Sequence, residues 1–282
     1  MITSIIFSKD RPLQLDLCLK SIQKNFTVSS NTVVLHNYSP EYKEVFSTLV
    51  NEHPNVKFFQ QTESIYQDII DITNSSDNAH VCMFTDDNII YRPVNISPGA
   101  YPNIFSAPQV ACISLRLGYN INTRYHHGRR FDDICEKSKE INGYVFIPRT
   151  TYLYGSYWSY SHSVDGHIFR KKDMLRMFAE IEYLNKAFNY RQTPNEVESQ
   201  MQKFWTQFGE FIVCLPHSSV VNSPNNRVSD THTENFSGEN FNYDPEFLLG
   251  KYLSGKRIDL DILDFPDIIC PHQEIDIIGA IA

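Results

Sequence analysis

The sequence predicts an α/β protein with a Rossmann-like, mostly parallel central sheet, helices on both faces and a small C-terminal extension. Three observations lead there. Short apolar runs alternate with helical periodicities through residues 1–90. The connections between them are short, as successive βα units require. One of the apolar runs, VCMFT, ends in two adjacent carboxylates, Asp86 and Asp87, and open α/β sheets bind ligands at that carboxyl edge.

Residues 2–8 (ITSIIFS) form a nearly continuous apolar run, the pattern of a parallel strand buried on both faces. Pro12 suits a first helical turn, and Leu15, Leu19 and Ile22 share one face of a helix reaching about Lys24. Strands follow at residues 32–36, 56–60 and 81–84, with helices at 41–51 and 64–73 between them. Beyond Tyr91 the prolines at 93, 98, 102 and 108 mark an irregular segment. Residues 110–117 read as a strand, 118–142 as a polar lid, and 144–147 as a short strand. An aromatic stretch at 151–163 precedes helices at 172–184 and 197–208, the second stopped by Gly209, and then a strand at 211–215. A polar loop at 223–238 and a helix at 245–253 close the pattern. The expected division is a catalytic unit over 1–225, with a nucleotide-binding half at 1–92 and an acceptor half at 93–225, and an extension over 226–282 packed on it.

The 282 residues suffice for one large α/β unit, and 41% hydrophobic with 21% charged residues allow a core of ordinary size. A formal charge of −8 argues against general nucleic-acid binding, which needs a basic footprint. The 16 Tyr and 19 Phe either line a groove for sugar or base rings or reflect nucleotide composition. Six scattered cysteines form no CxxC pair and no zinc-type spacing, which fits a reducing compartment. With no signal-peptide pattern and no apolar run near the ~20 residues that span a bilayer, a cytoplasmic location is expected, with room for peripheral membrane contact. No Gly-rich fingerprint follows the first strand, which argues against a dinucleotide-binding domain, and no P-loop is present.

Two carboxylates side by side at a strand end repel each other and call for a compensating cation. A hard divalent ion shared with substrate phosphates is one such partner; a plain Asp-Asn turn is the other reading.

Four segments, in order, resemble the GT-A glycosyltransferases of the large family-2 group. They are Ser8-Lys9-Asp10-Arg11-Pro12 after the first strand, Phe84-Thr85-Asp86-Asp87, Gly166-His167-Ile168-Phe169-Arg170-Lys171 leading into a helix, and Pro194-Asn195-Glu196 at a helix start. The likeness covers roughly residues 1–220. It departs from the family at Thr-Asp-Asp in place of Asp-x-Asp, at Asn-Glu in place of Glu-Asp, and at His36-Asn37-Tyr38-Ser39, where an acid usually contacts the base.

The resemblance implies a GT-A fold and transfer of a sugar from a nucleotide-diphosphate donor, such as a UDP-sugar, to a glycan, lipid-linked glycan or other hydroxyl acceptor. It implies Mn2+ or Mg2+ held by Asp87, with His217 as a further ligand. Ser8, Asp10, Arg11, Asp86 and Arg170 would face the donor. Glu196 is the candidate base of an inverting mechanism, with Glu198 and Asp165 as alternates, and Trp158 and Tyr160 are either an acceptor platform or core. Two other readings stand beside this one: a sugar-phosphate nucleotidyltransferase, which usually has a glycine-rich loop after the first strand, and a degenerate glycan-binding or scaffold protein.

Overall fold

A computed structural model describes residues 1–97, 99–123, 138–148, 157–160, 162–204, 207–228 and 237–282. Much of the expected lid, with His126 and His127, lies outside the described residues, as do most of the aromatic stretch and half of the polar loop at 223–238.

The first half follows the expected alternation: β1 (Ile2–Lys9), α1 (Pro12–Asn25), β2 (Ser29–Asn37), α2 (Lys43–Glu52), β3 (Val56–Gln60), α3 (Ile65–Asn74) and β4 (His80–Thr85). β1 is buried from Ile2 to Ser8, and its apolar run has a physical cause: it pairs in parallel with β2 on one side and β4 on the other. Pro12 opens α1, where its missing N–H costs nothing, and the Ser64 hydroxyl caps α3 by accepting from the Gln67 N–H.

The second half contains β5 (Asn88–Ile90), α4 (Ala100–Ser106), β6 (Val110–Ser114), β7 (Lys139–Ile141), β8 (Tyr144–Pro148) and β9 (His167–Arg170). Then come α5 (Lys171–Phe188), α6 (Pro194–Lys203), β10 (Phe211–Cys214), β11 (Val220–Asn222) and α7 (Pro245–Leu253). The nine-stranded sheet has the order β3-β2-β1-β4-β9-β6-β10-β8-β7. β8 and β9 run against the other strands, so the sheet is mixed but mostly parallel in direction. α7 packs on α1, which lays part of the C-terminal segment against the first half.

Several elements differ from the reading of the sequence. β9 is a strand inserted between β4 and β6, where only a lead-in to a helix was expected; its four residues are all buried, too short a run for periodicity to register. β5 and β11 pair with each other in a separate two-stranded sheet. α4 lies within the proline-marked segment expected to be irregular. Gly209 adopts φ +54 where a Cβ would meet backbone atoms of Gln109 and Ala111 at 2.5 Å, so it serves the entry to β10 rather than the end of α6.

At the end of β2, His36 is buried and stacks on Tyr38 at 5.3 Å and on Phe46 at 5.0 Å. Burial pulls its pKa from 6.5 down to about 4. A base whose folded pKa is depressed contributes stability that is complete above the unfolded pKa and is lost as pH falls toward the folded one. His36→Phe keeps the stack and removes the titration. Urea unfolding at pH 7 and pH 4.5 is expected to show the wild type losing about 2 to 3 kcal/mol more than the variant.

Candidate active site

β1 and β4 are adjacent parallel strands, so their carboxyl ends open at one edge of the sheet. The ladder continues one residue past β4, with the Asp86 N–H donating to the Phe7 carbonyl at 3.0 Å. This register places the acid pair directly over the turn that follows β1. Asp86 Oδ2 accepts from the Ser8 hydroxyl at 2.9 Å and the Lys9 N–H at 3.1 Å. Arg11 Nη1 bridges the pair, 3.0 Å from Asp86 Oδ1 and 2.8 Å from Asp87 Oδ2. Its Nη2 donates to the Asn226 carbonyl at 2.7 Å, and its buried Nε has no partner among the described residues. Burial pushes the Asp86 carboxyl up to about 6; the Arg11 charge opposes that shift and the Asp87 charge adds to it. Burial would lower the Arg11 pKa, but the two carboxylates raise it further, so the guanidinium stays charged.

Asp165 lies beside the pair. Gly166, at φ +74, donates to the Met83 carbonyl and accepts from the Leu115 N–H, both at 2.8 Å. A Cβ there would press on Val220 and Phe84 at 3.2–3.4 Å. This tight crossing between β4 and β6 fixes Asp165 at the site edge. Asp165 Oδ1 accepts from Thr85 Oγ1 and Asn88 Nδ2, both at 3.1 Å. Oδ2 accepts from Arg116 Nη1 at 2.9 Å and from His272 Nε2 at 3.2 Å. Burial alone would raise its pKa; the His272 hydrogen bond, the Arg116 and His272 charges and the Asn88 bond outweigh it and hold the carboxylate well below its ordinary range. Asn222 Nδ2 links the acids, 2.7 Å from Asp87 Oδ1, 3.1 Å from Thr85 Oγ1 and 3.5 Å from Asp165 Oδ1.

Glu198 on α6 completes the arrangement. Its Oε1 accepts from the Val164 N–H at 3.4 Å, and the Tyr160 hydroxyl bonds it. Burial and the Asp165 charge push the Glu198 pKa up, against Arg116, Ser163 and His272. One edge of the sheet thus carries an acid pair bridged by Arg11, a firmly ionised Asp165 and a carboxylate of raised basicity.

No protein-family model and no curated protein sequence matches the chain. Solved structures do. The structure is similar to residues 1–349 of Staphylococcus aureus TarS in complex with UDP-GlcNAc, with a TM-score of 0.50 and 12% identity, over 83% of this chain and 61% of that one. The chain has a glycosyltransferase-type α/β fold. The UDP complex of TarS gives a TM-score of 0.48 at 14% identity, over 79% and 61% of the two chains. The mannosyltransferase PcManGT from Pyrobaculum calidifontis, in complex with GDP-Man and Mn2+, gives 0.30 at 12% identity, over 40% and 34%. The chain therefore spans about three-fifths, 61%, of the TarS chain that it matches.

Of the residues expected at the site from the sequence, Ser8, Arg11, Asp86, Asp87, Asp165 and Glu198 come together. Asp10 sits next to them at φ +53, with its carboxylate on the Ser39 N–H at 2.7 Å and the Ser39 hydroxyl at 2.8 Å, tying the turn after β1 to the turn after β2. Glu196 points along its own helix: its Oε1 accepts from Gln200 Nε2 at 2.5 Å, and its N–H is capped by Thr193. His217 is exposed and precedes β11; the residue at the far end of β11, Asn222, is the one that reaches Asp87. Trp158 is buried, with its indole N–H on the Ile121 carbonyl at 3.3 Å, which makes it a core residue.

Arg170 lies away from the edge that carries Asp86 and Asp87. It pairs with His80 at the start of β4, the opposite end of the strand from Asp86. Its guanidinium donates to the carbonyls of Phe105, Ala107 and Val110 and to Asp173, and so clamps the corner between α4 and β6. Three residues of the site carried no local sequence signal: Arg116, Asn222 and His272. Asn222 stands 135 residues from Asp87 and arrives only through the β5–β11 register.

Arg170→Ala strands buried carbonyls, each worth about 1–3 kcal/mol when left unsatisfied. Chemical denaturation is expected to show a loss of about 3 kcal/mol or more, while nucleotide affinity of the folded fraction stays within about twofold of wild type.

Proposed function

We propose that this protein is a glycosyltransferase that moves a sugar from a nucleoside-diphosphate donor to a hydroxyl acceptor, with inversion. The observation that carries the reading is the pairing, at one sheet edge, of the Arg11-bridged Asp86–Asp87 site with Glu198, a carboxylate whose surroundings favour proton uptake. The likeness to a protein solved with UDP-GlcNAc supports a nucleotide-sugar as the donor class.

Each part of the reaction has a residue suited to it. The leaving diphosphate needs positive charge, and Arg11 lies at the strand ends with its Nε unpaired among the described residues. Asp87 and Asp86 offer hard oxygen ligands, which suits Mn2+ or Mg2+, since such ions take one or two carboxylates and fill the remaining positions with phosphates and water. When bound there, the ion would neutralise the developing charge on the diphosphate.

Proton removal from the acceptor hydroxyl falls to Glu198. A general base works best with its pKa near the operating pH, and burial beside Asp165 moves Glu198 in that direction. Glu196 is the alternate, two residues away and turned toward Gln200. Asp165 stays ionised and holds Arg116 and Asn222 in place.

A panel of nucleotide-sugars with Mn2+, read by nucleotide release, tests the reading. Glu198→Gln is expected to lower turnover by about 10²–10³-fold with nucleotide affinity within about threefold, because removing a general base costs that order of rate. Glu196→Gln is expected to stay within about tenfold of wild type on the same argument. Wild-type turnover by Glu198→Gln sinks the assignment of the base. No nucleotide release and no nucleotide-diphosphate binding across the panel sinks the function.

In the second arm, Asp87→Ala is expected to remove the Mn2+-dependent part of nucleotide binding, measured by calorimetry with and without the ion.

A further inference from the structure

The C-terminal segment does more than cover the sheet. Residues 268–275 are pinned from both sides. The Ile268 carbonyl accepts from Asn120 Nδ2 at 2.7 Å, and the Ile269 carbonyl accepts from the N–H groups of Asn122 and Thr123 at 3.0 and 3.1 Å. The Pro271 carbonyl accepts from the Asn222 N–H at 2.8 Å, and the Gln273 N–H donates to the Asn222 carbonyl at 2.9 Å, forming a parallel bridge beside the end of β11. The buried Glu274 carboxylate accepts three backbone N–H groups, from Glu239, Asn240 and Phe241, each at 2.7 Å. A carboxylate tied this way holds its own backbone in register.

This anchoring delivers one side chain into the site. His272 Nε2 lies 3.2 Å from Asp165 Oδ2, while its Nδ1 lies 3.4 Å from the Tyr157 hydroxyl, and the ring stands edge-on to Tyr157. An ionised carboxylate only accepts, so Nε2 carries the proton. Arg116 shares the same Asp165 oxygen but is buried, whereas the His272 side chain is 31% exposed and opens toward solvent.

We infer that His272 is a positioning residue of the proposed transfer site, fixing the Asp165 carboxylate on which Asn222 and the surroundings of Glu198 depend. The inference rests on the glycosyltransferase reading for its kinetic consequence, but not for its geometry. Asp165 Oδ2 accepts from Arg116, His272 and, at 3.5 Å, the Ser163 hydroxyl, and Oδ1 is taken by Thr85, Asn88 and Asn222. Removing His272 leaves Oδ2 to Arg116 and the longer Ser163 contact, so the carboxylate tilts away from the side His272 had held. Asn222, which bonds Asp87 and Asp165 together, then loses its fixed station, and the charge facing Glu198 moves. The contact is made to a partner of the reacting groups, so it acts on the rate of the bound complex more than on donor capture.

The test uses the full chain with His272→Ala and His272→Gln, since glutamine can place an N–H near the position of the imidazole Nε2. His272→Ala is expected to lower kcat about 10- to 30-fold with the donor KM within about threefold, and His272→Gln to recover most of it. In the free protein, proton NMR is expected to show a downfield imidazole N–H resonance, slowed in exchange by its hydrogen bond, that is absent from His272→Gln and Asp165→Asn. Wild-type kcat in His272→Ala overturns the inference, as does the absence of that resonance from the wild-type spectrum. If the resonance behaves as expected while no donor is turned over, the positioning contact stands and the proposed function falls.

Discussion

Two ionised carboxylates on consecutive residues at the end of a buried strand are unstable on their own, and Arg11 is what lets Asp86 and Asp87 share that place. One guanidinium nitrogen spans both acids, at 3.0 and 2.8 Å. Breaking such a bridge from either side would leave a buried charge without its partner, which is far costlier than never having had the pair. The constraint reaches outward. Arg11 must leave the end of β1 by a short turn, so Pro12 starts α1 at once. Asp10 takes a left-handed backbone conformation in that turn and ties it to Ser39. The sheet order β2-β1-β4 then sets the acids beside the guanidinium.

Asp165 plays the corresponding part on the other side of the site. Its environment pulls its pKa down although burial pushes up, whereas Asp86 and Glu198 are raised by the same burial. Three acids close together are thereby kept chemically different: one firmly charged, one near the boundary in the shadow of Arg11, and one disposed to take a proton. Neighbouring titratable groups whose surroundings separate their proton affinities are the usual material of acid–base chemistry.

The β1 to β4 half was legible in the sequence because β1 and β4 are buried along almost their whole length and spell mostly apolar runs, and because α1 opens on Pro12 and α3 is capped by Ser64. Asp86 and Asp87 were legible because a polar pair interrupts such a run. The acid on α6 was harder. Residues 196 and 198 are two apart, about 200° around a helix by its 3.6-residue turn, so they face opposite ways, and only the docking of α6 against Val164 shows which one turns inward. Arg170 misled for a similar reason: a cation beside an apolar strand looks the same in sequence whether it meets phosphates or, as here, backbone carbonyls. Asn222, Arg116 and His272 are set by pairing register and by a chain segment that returns from far away, and no short-range pattern encodes that.

The separations along the chain also order the assembly of this edge during folding. Arg11 meets the acid pair across 75 and 76 residues, inside the half built from short βα units. Asn222 reaches Asp87 across 135 residues, and Asn226 reaches Arg11 across 215. Closing a longer loop costs more entropy before the contact repays it. Loop-closure entropy therefore favours the bridge between Arg11 and the aspartates over the contacts made by Asn222 and Asn226. The two carboxylates thus have their cation within the shorter loop and do not depend on the chain's far end for it.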